Sequence, residues 1–253
     1  MHPSAIRIES SALTHVGRVR QQNQDSFCAR ERDGLWAVAD GMGGHEGGEW
    51  ASAALADALA AIALPEELEP ACEAVEEAIR TANAAIVAEA ALRERQMGTT
   101  VVALIVRGQR YAILWVGDSR AYALRRGKLL QLSRDHTQVQ EMVDRGIMRP
   151  EDARGHPMGH ILSRAVGVRE DVQIDRATGE IEPGDIFMIC SDGLHSYVEE
   201  AEIGQLLGRG SPERALDALI AATLENGAPD NVTAIAVWTS EPTLISFEEP
   251  VQA

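Results

Sequence analysis

The chain is poor in cysteine, aromatics and basic residues, and it has no long hydrophobic run. Cys28, Cys72 and Cys190 are far apart and odd in number. No Cys-x-x-Cys pair or His-rich spacing accompanies them, which argues against zinc and suits a reducing cytoplasm. No apolar stretch approaches the roughly 18 residues of a membrane span, and the N-terminus lacks an apolar signal core. Lys and Arg number 23 against 39 Asp and Glu, a formal net charge of -16. Such a surface repels nucleic acid backbones and anionic membranes, so neither is expected as a partner. Phosphate-cradling loops are missing too. The stretch 41–48 fails the Gly-x-Gly-x-x-Gly spacing because Glu46 stands where the third glycine belongs, and no Gly-Lys-Ser/Thr element exists. Aromatics are only 4% of a chain that is 45% hydrophobic, so its core must be built from Ala, Val, Leu and Ile.

What the sequence does have is aspartate at the ends of apolar stretches. Residues 35–39 run into Asp40, 111–117 into Asp118 and 186–191 into Asp192, and Asp230 precedes 231–238. The stretches have the length and content of strands. If they pair in sheets, several carboxylates gather at one rim. Crowded carboxylates repel one another, and a hard divalent cation relieves the repulsion. The pattern predicts a metal-dependent hydrolase whose metals are held by carboxylates. Glycines beside Asp40 let backbone carbonyls approach an ion closely. Gly117-Asp118-Ser119-Arg120-Ala121 resembles a nucleophile elbow faintly, but an elbow leads into a helix and a strand is predicted from Arg120.

The remaining periodicities predict α+β organisation without an internal repeat or a linker. An edge strand is expected over 5–16, and a hairpin over 25–30 and 35–39 turning at Asp33-Gly34. Helices are expected over 50–64 and 68–95, covering one sheet face. An antiparallel meander is expected over 98–107, 110–117 and 119–125. Polar residues 134–165, with His136, His156 and His160, read as an inserted subdomain or lid. Strands follow at 171–179 and 185–190, then a helix opened by Ser211-Pro212-Glu213, then a strand at 231–239. Strands and helices that cluster separately indicate helices on antiparallel sheets.

Seven short pieces occur in an order that carries a resemblance. They are Arg20 with Asn23-Gln24-Asp25, Val38-Ala39-Asp40-Gly41-Met42-Gly43-Gly44, Gly98-Thr99-Thr100, Val116-Gly117-Asp118-Ser119-Arg120, Asp135-His136, Ser191-Asp192-Gly193-Leu194, and Asp230-Asn231. Together they resemble a bacterial metal-dependent type 2C serine/threonine protein phosphatase. The resemblance implies an αββα sandwich of two antiparallel sheets flanked by helices, forming a single domain over 1–240. A flap at about 134–165 is inserted in it, and 241–253 is a C-terminal tail. It implies Mn²⁺ or Mg²⁺, as two tight ions and a weaker third. Asp40 would be shared by the two tight ions, with Gly41 adding a backbone carbonyl and Asp192 and Asp230 holding the first. Asp118 with Asp192 would hold the third. Arg20 would bind the substrate phosphate, Asp25 would orient a metal-bound water, and His45 is a candidate proton donor and substrate contact. A hydroxide bridging ions roughly 3.5–4 Å apart would attack phosphorus in line.

The implied activity is hydrolysis of phosphoserine and phosphothreonine on proteins, opposing a serine/threonine kinase, by a cytoplasmic monomer. Two positions depart from the family pattern. Gln24 replaces a common Glu beside the second metal, and Met42 stands where the eukaryotic branch has a histidine. Two rivals stay open: a catalytically dead phosphoprotein-binding regulator, and a hydrolase of small phosphate esters or nucleotides.

Overall fold

The computed structural model describes residues 6–44, 46–153 and 155–241. In chain order its first elements are β1 (Arg7–His15), β2 (Asp25–Arg30), β3 (Leu35–Met42), α1 (Glu46–Ala61) and α2 (Leu68–Leu92). Next come β4 (Gly98–Thr99), β5 (Val101–Arg107), β6 (Arg110–Val116), β7 (Arg120–Arg125), β8 (Lys128–Gln131), α3 (Gln138–Asp144) and α4 (Pro150–Ala153). The last are β9 (Asp175–Glu180), β10 (Ile186–Cys190), α5 (Asp192–His195), α6 (Glu200–Leu207), α7 (Pro212–Glu225) and β11 (Val232–Ser240). They form an αββα sandwich of two antiparallel sheets. One sheet has the order β1-β11-β10-β7-β8, the other β2-β3-β5-β6-β9 with β4 paired to β3.

Strand alternation sorts the apolar residues into three layers. Trp36, Val38, Val102, Leu104, Ile113, Phe187, Ile189, Ile235 and Val237 meet between the sheets. Their neighbours Leu35, Ala37, Val101, Ala103, Ile105 and Leu114 pack under α1 and α2. On the other side Tyr122, Met188, Cys190, Ala234 and Ala236 pack under α5, α6 and α7. A strand buried on both faces needs apolar residues at every position, which is why these strands are continuous hydrophobic runs. Each fully buried Val, Leu, Ile or Phe contributes about 1.5–3 kcal/mol.

The edge strand, the first hairpin and the Ser211 cap lie where the sequence predicts them. Gly34 takes the left-handed conformation at φ 54°, closing the hairpin. The meander is corrected. β5 and β6 pair, but β7 leaves for the other sheet and pairs with β8 and β10. Gly117 makes that crossover at φ +107°, and a Cβ there would lie 2.6 Å from the Thr100 side chain. Only glycine tolerates both conditions. The first long helix starts at Glu46, four residues before the expected 50, because Gly47 and Gly48 are buried in its first turn.

Residues 134–165 carry α3 and α4. Thr137 caps α3 by accepting the Gln140 N–H at 3.1 Å. Among the described residues α3 and α4 bury one side chain, Val139. The segment's feet are tied together, since Thr137 pairs with Leu162 and the Ser163 N–H donates to the His136 carbonyl at 2.9 Å. No helix among the described residues is long and apolar enough to cross a membrane. Of the expected tail, residues 242–253 lie outside the described residues, as does His45.

Candidate metal centre and active site

Five aspartates face one another at one end of the sandwich. β2 and β3 place Asp25 opposite Asp40 in register. Asp118 lies at the β6–β7 crossover, Asp192 opens α5 at the end of β10, and Asp230 precedes β11. Burial, then the charges of Asp25, Asp192, Asp118 and Asp230, hold the Asp40 carboxyl well above its ordinary range. Burial, then Asp192 and Asp135, do the same to Asp118. Burial also raises Asp192, Asp230 adds to the rise, and a hydrogen bond with Asp40 partly offsets it. Asp40 and Asp192 keep some solvent contact while protein surrounds them.

Asp25 is buried, at 8% exposed. Burial pushes its carboxyl up to about 7, with hydrogen bonds from Thr233 and Ser191 working the other way. The Ser191 hydroxyl donates to Asp25 Oδ2 at 2.8 Å. Oδ1 is buried with no hydrogen-bond partner. An orphaned carboxylate oxygen costs about 1–3 kcal/mol or more.

The backbone around these carboxylates is held by polar side chains. The Asp40 N–H donates to Thr100 Oγ1 at 3.0 Å, and Thr99 Oγ1 donates to the Asp40 carbonyl at 3.0 Å. Gly41 cannot be replaced, since a Cβ there would lie 2.1 Å from the Gly48 carbonyl oxygen. Two imidazoles grip the chain on either side of the Asp118 side chain. His136 Nδ1 accepts the Gly117 N–H at 3.0 Å, so its ring proton lies on Nε2, 3.2 Å from Asp175 Oδ2. Burial keeps His136 below its ordinary pKa. Burial pushes His195 down to about 3, so it is neutral, and its Nε2 donates to the Asp118 carbonyl at 3.0 Å. Beyond Asp118, Arg120 forks onto Asp135 at 2.9 and 2.7 Å, tying the crossover to the foot of segment 134–165.

Arg20 sits on the exposed loop between β1 and β2. Its Nε and Nη2 donate to Asp230 Oδ1 and Oδ2 at 2.9 and 2.8 Å. The loop is pinned by Asn231, which donates to the Val16 and Gln22 carbonyls at 2.8 and 2.9 Å and accepts the Gln24 N–H at 2.8 Å. An 810 Å³ cleft opens beside Arg20 and Gln24 and is bounded by Gly44.

The expected residues Arg20, Asp25, Asp40, Gly41, Asp118, Asp192 and Asp230 are thus gathered in one region. Ser119 is buried, and its hydroxyl is bonded to Thr100 Oγ1 at 2.7 Å. The supporting roles of Thr99, Thr100, Asn231, Ser191, His136 and His195 were not read from the sequence. For Asn231, Ser191, His136 and His195 the signal was adjacency, since each stands within three residues of an aspartate in sequence while its hydrogen bonds cross the chain; Thr99 and Thr100 have no such neighbour.

Among the described residues, no three His, Cys, Asp or Glu side chains stand close enough to form a metal cage by themselves. Hard divalent cations do not require one, because they take carboxylate, carbonyl and water oxygens together. The mutually repelling carboxylates, the orphaned Asp25 oxygen and the glycine-lined turn at Gly41 fit such a cation. An αββα sandwich with this carboxylate cluster at its end defines a metal-dependent hydrolase.

Known proteins narrow the class. Residues 14–234 match the family described as protein phosphatase 2C. Serine/threonine protein phosphatase PstP of Mycobacterium tuberculosis is 38% identical over 227 residues, 89% of this chain and 44% of that protein. The chain therefore spans less than half the length of that relative. Serine/threonine phosphatase stp of Listeria innocua is 37% identical over 238 residues, 88% of this chain and 93% of its own. A solved catalytic domain of PstP in complex with two manganese ions superposes with TM-score 0.82 at 34% identity, covering 93% of this chain and 100% of that one. The chain belongs to the protein phosphatase 2C family, and it matches the full length of that solved PstP catalytic domain.

Proposed function

We propose that this protein hydrolyses phosphoserine and phosphothreonine on other proteins, using Mn²⁺ or Mg²⁺, and opposes a serine/threonine kinase in the cytoplasm as a monomer. One observation carries the reading: five aspartates crowd one end of the sandwich, and one of them, Asp25, has a buried oxygen without a partner. When bound, divalent cations supply a nucleophilic oxygen at neutral pH and stabilise charge on the transferring phosphoryl group. Asp40 and the Gly41 carbonyl would hold two tight ions, with Asp192 and Asp230 on the first. Asp118, with Asp192, would hold a weaker third.

The remaining residues act on substrate and water. Arg20 presents a planar fork that now holds Asp230, and the same fork matches two phosphate oxygens. Asp25 Oδ1 would accept a hydrogen bond from the attacking water and orient it. His45 would donate a proton to the leaving oxygen. The catalytic domain would run over 1–240, with 134–165 as a flap over the substrate.

The test compares turnover of a phosphothreonine peptide with that of free nucleotides at saturating Mn²⁺. The proposal expects kcat/KM to favour the peptide strongly. Preference for nucleotides would point to a small-molecule hydrolase, and no turnover of either would point to a phosphoprotein-binding regulator.

A further inference from the structure

Gly43 and Gly44 separate two cavities. Gly44 borders the 810 Å³ cleft that Arg20 and Gln24 line. Gly43 borders a second cavity of 610 Å³, together with Met42, Val87, Ala91, Met97 and Val168. This second cavity is a mostly apolar groove, also lined by Glu94, Arg95 and Gln96, between the C-terminal end of α2 and residues 167–168, where the chain leaves segment 134–165. Side chains alternate along a strand, so Met42 lies on the same face of β3 as Asp40. The groove thus begins two residues beyond an aspartate of the cluster.

Both walls are built to stay open. On one, Gly167 has φ +87°, and a Cβ there would lie 2.2 Å from the Ile86 side chain. Asn83, 1% exposed, accepts the Gly167 N–H at 2.6 Å and donates to the Arg169 and Glu170 carbonyls at 2.9 Å each. On the other wall Gly43 has φ +127°, and a Cβ there would lie 2.5 Å from the Gln96 carbonyl oxygen. These close approaches fix a concavity whose apolar residue Val168 is 56% exposed. A pre-formed apolar concavity next to a polar reaction site is the usual build of a specificity pocket.

We propose that this groove is a substrate subsite that takes an apolar side chain of the phosphoprotein segment flanking the phosphorylated residue. The assignment rests on the phosphatase reading of the adjoining cleft. The occupant follows from continuity, because the consecutive residues Gly43 and Gly44 line the two cavities, which puts the groove within reach of residues flanking a phosphate held beside Arg20. It also follows from the lining: apolar walls select by removing apolar surface from water.

The test uses the Mn²⁺-loaded protein and phosphothreonine peptides of Gly, Ser and Ala carrying one Leu, moved through three positions on either side of the phosphoresidue. Leu at one or two positions should raise kcat/KM about tenfold, through KM. Ala91→Phe fills the groove and Val168→Asp charges its rim. Both residues are exposed, so the fold tolerates the changes. Both variants should erase the Leu preference and leave p-nitrophenyl phosphate kinetics unchanged. A flat scan in the parent protein, with peptides still hydrolysed, would overturn the subsite alone. A flat scan with a shift of self-association in the variants would assign the groove to a second copy of the chain. Equal loss of aryl phosphate turnover would make the groove part of the catalytic centre, which also overturns the proposal. If the parent hydrolyses aryl phosphate but no peptide, the phosphoprotein reading itself falls and takes the subsite with it.

Discussion

Replacing Asp25 by Asn should stabilise the metal-free protein while impairing the metal-loaded enzyme. Asp25 is buried, faces the charges of Asp192 and Asp230, and has its carboxyl pushed from 3.8 up to about 7, chiefly by burial. Below about pH 3.8 the group is protonated in both the folded and unfolded states and costs nothing. Between there and about pH 7 the unfolded chain releases the proton while the folded chain keeps it, so stability falls as pH rises. Above about pH 7 the penalty is constant. About three pH units at about 1.4 kcal/mol each give at most about 4 kcal/mol, an upper value because neighbouring carboxyls share the proton. Asn is nearly isosteric, and its oxygen still accepts the Ser191 hydroxyl. For a chain of this size about 4 kcal/mol raises Tm by about 10 °C. Thermal unfolding of chelated wild type and Asp25→Asn from pH 4 to 8 reads this out. The gap in favour of the variant should be small at pH 4, widen to about pH 7 and then level off. Adding Mn²⁺ at a hundredfold excess over Kd should stabilise the wild type by about 2.7 kcal/mol per site. A gap independent of pH, or an Asn variant less stable at pH 8, would refute the electrostatic argument.

Other expectations follow from individual contacts. Arg20→Ala should raise KM for a phosphothreonine peptide about tenfold to a hundredfold with a smaller fall in kcat, as expected for losing a charge-assisted fork, and steady-state kinetics decide it. Unchanged kinetics would make Arg20 only a partner of Asp230. Asp118→Ala should leave two tight Mn²⁺ sites in calorimetric titration, remove a weak one and lower kcat about a hundredfold. Loss of the tight sites would move Asp118 into the binuclear core. His195→Leu deletes the hydrogen bond to the Asp118 carbonyl and should weaken that weak site about 10–100-fold while sparing the tight ones, a split seen in the same titration.

The parts of this molecule legible in the sequence are those set by local chemistry. Alternating strand faces, the Asp33-Gly34 turn and the Ser211 cap each depend on a few adjacent residues. Carboxylates at strand ends announced the carboxylate cluster for the same reason. The β6–β7 crossover was not legible, because a glycine between two apolar strands reads as a hairpin turn as readily as a change of sheet. What decides it is Thr100 packed against Gly117, a contact across the chain. Helix α1 was placed late because Gly47 and Gly48 disfavour a helix locally, and only their burial against Met97 and Gly41 explains their presence. Asn231, Ser191 and the imidazoles of His136 and His195 act through partners 19 to 215 residues away, so no sequence window contains their function.

The central claim is that the carboxylate cluster, through divalent cations, directs water onto a phosphoprotein. The most direct measurement is single-turnover hydrolysis of a phosphothreonine peptide in ¹⁸O-labelled water, run on chelated enzyme and again after Mn²⁺ is restored, with Ser119→Ala and Asp192→Asn alongside. The account predicts no reaction without metal. With metal it predicts one solvent oxygen in the released phosphate, no phosphorylated enzyme, a working Ser119→Ala and an inactive Asp192→Asn. Full activity after exhaustive chelation, or a phosphorylated Ser119 on the reaction path, would contradict it.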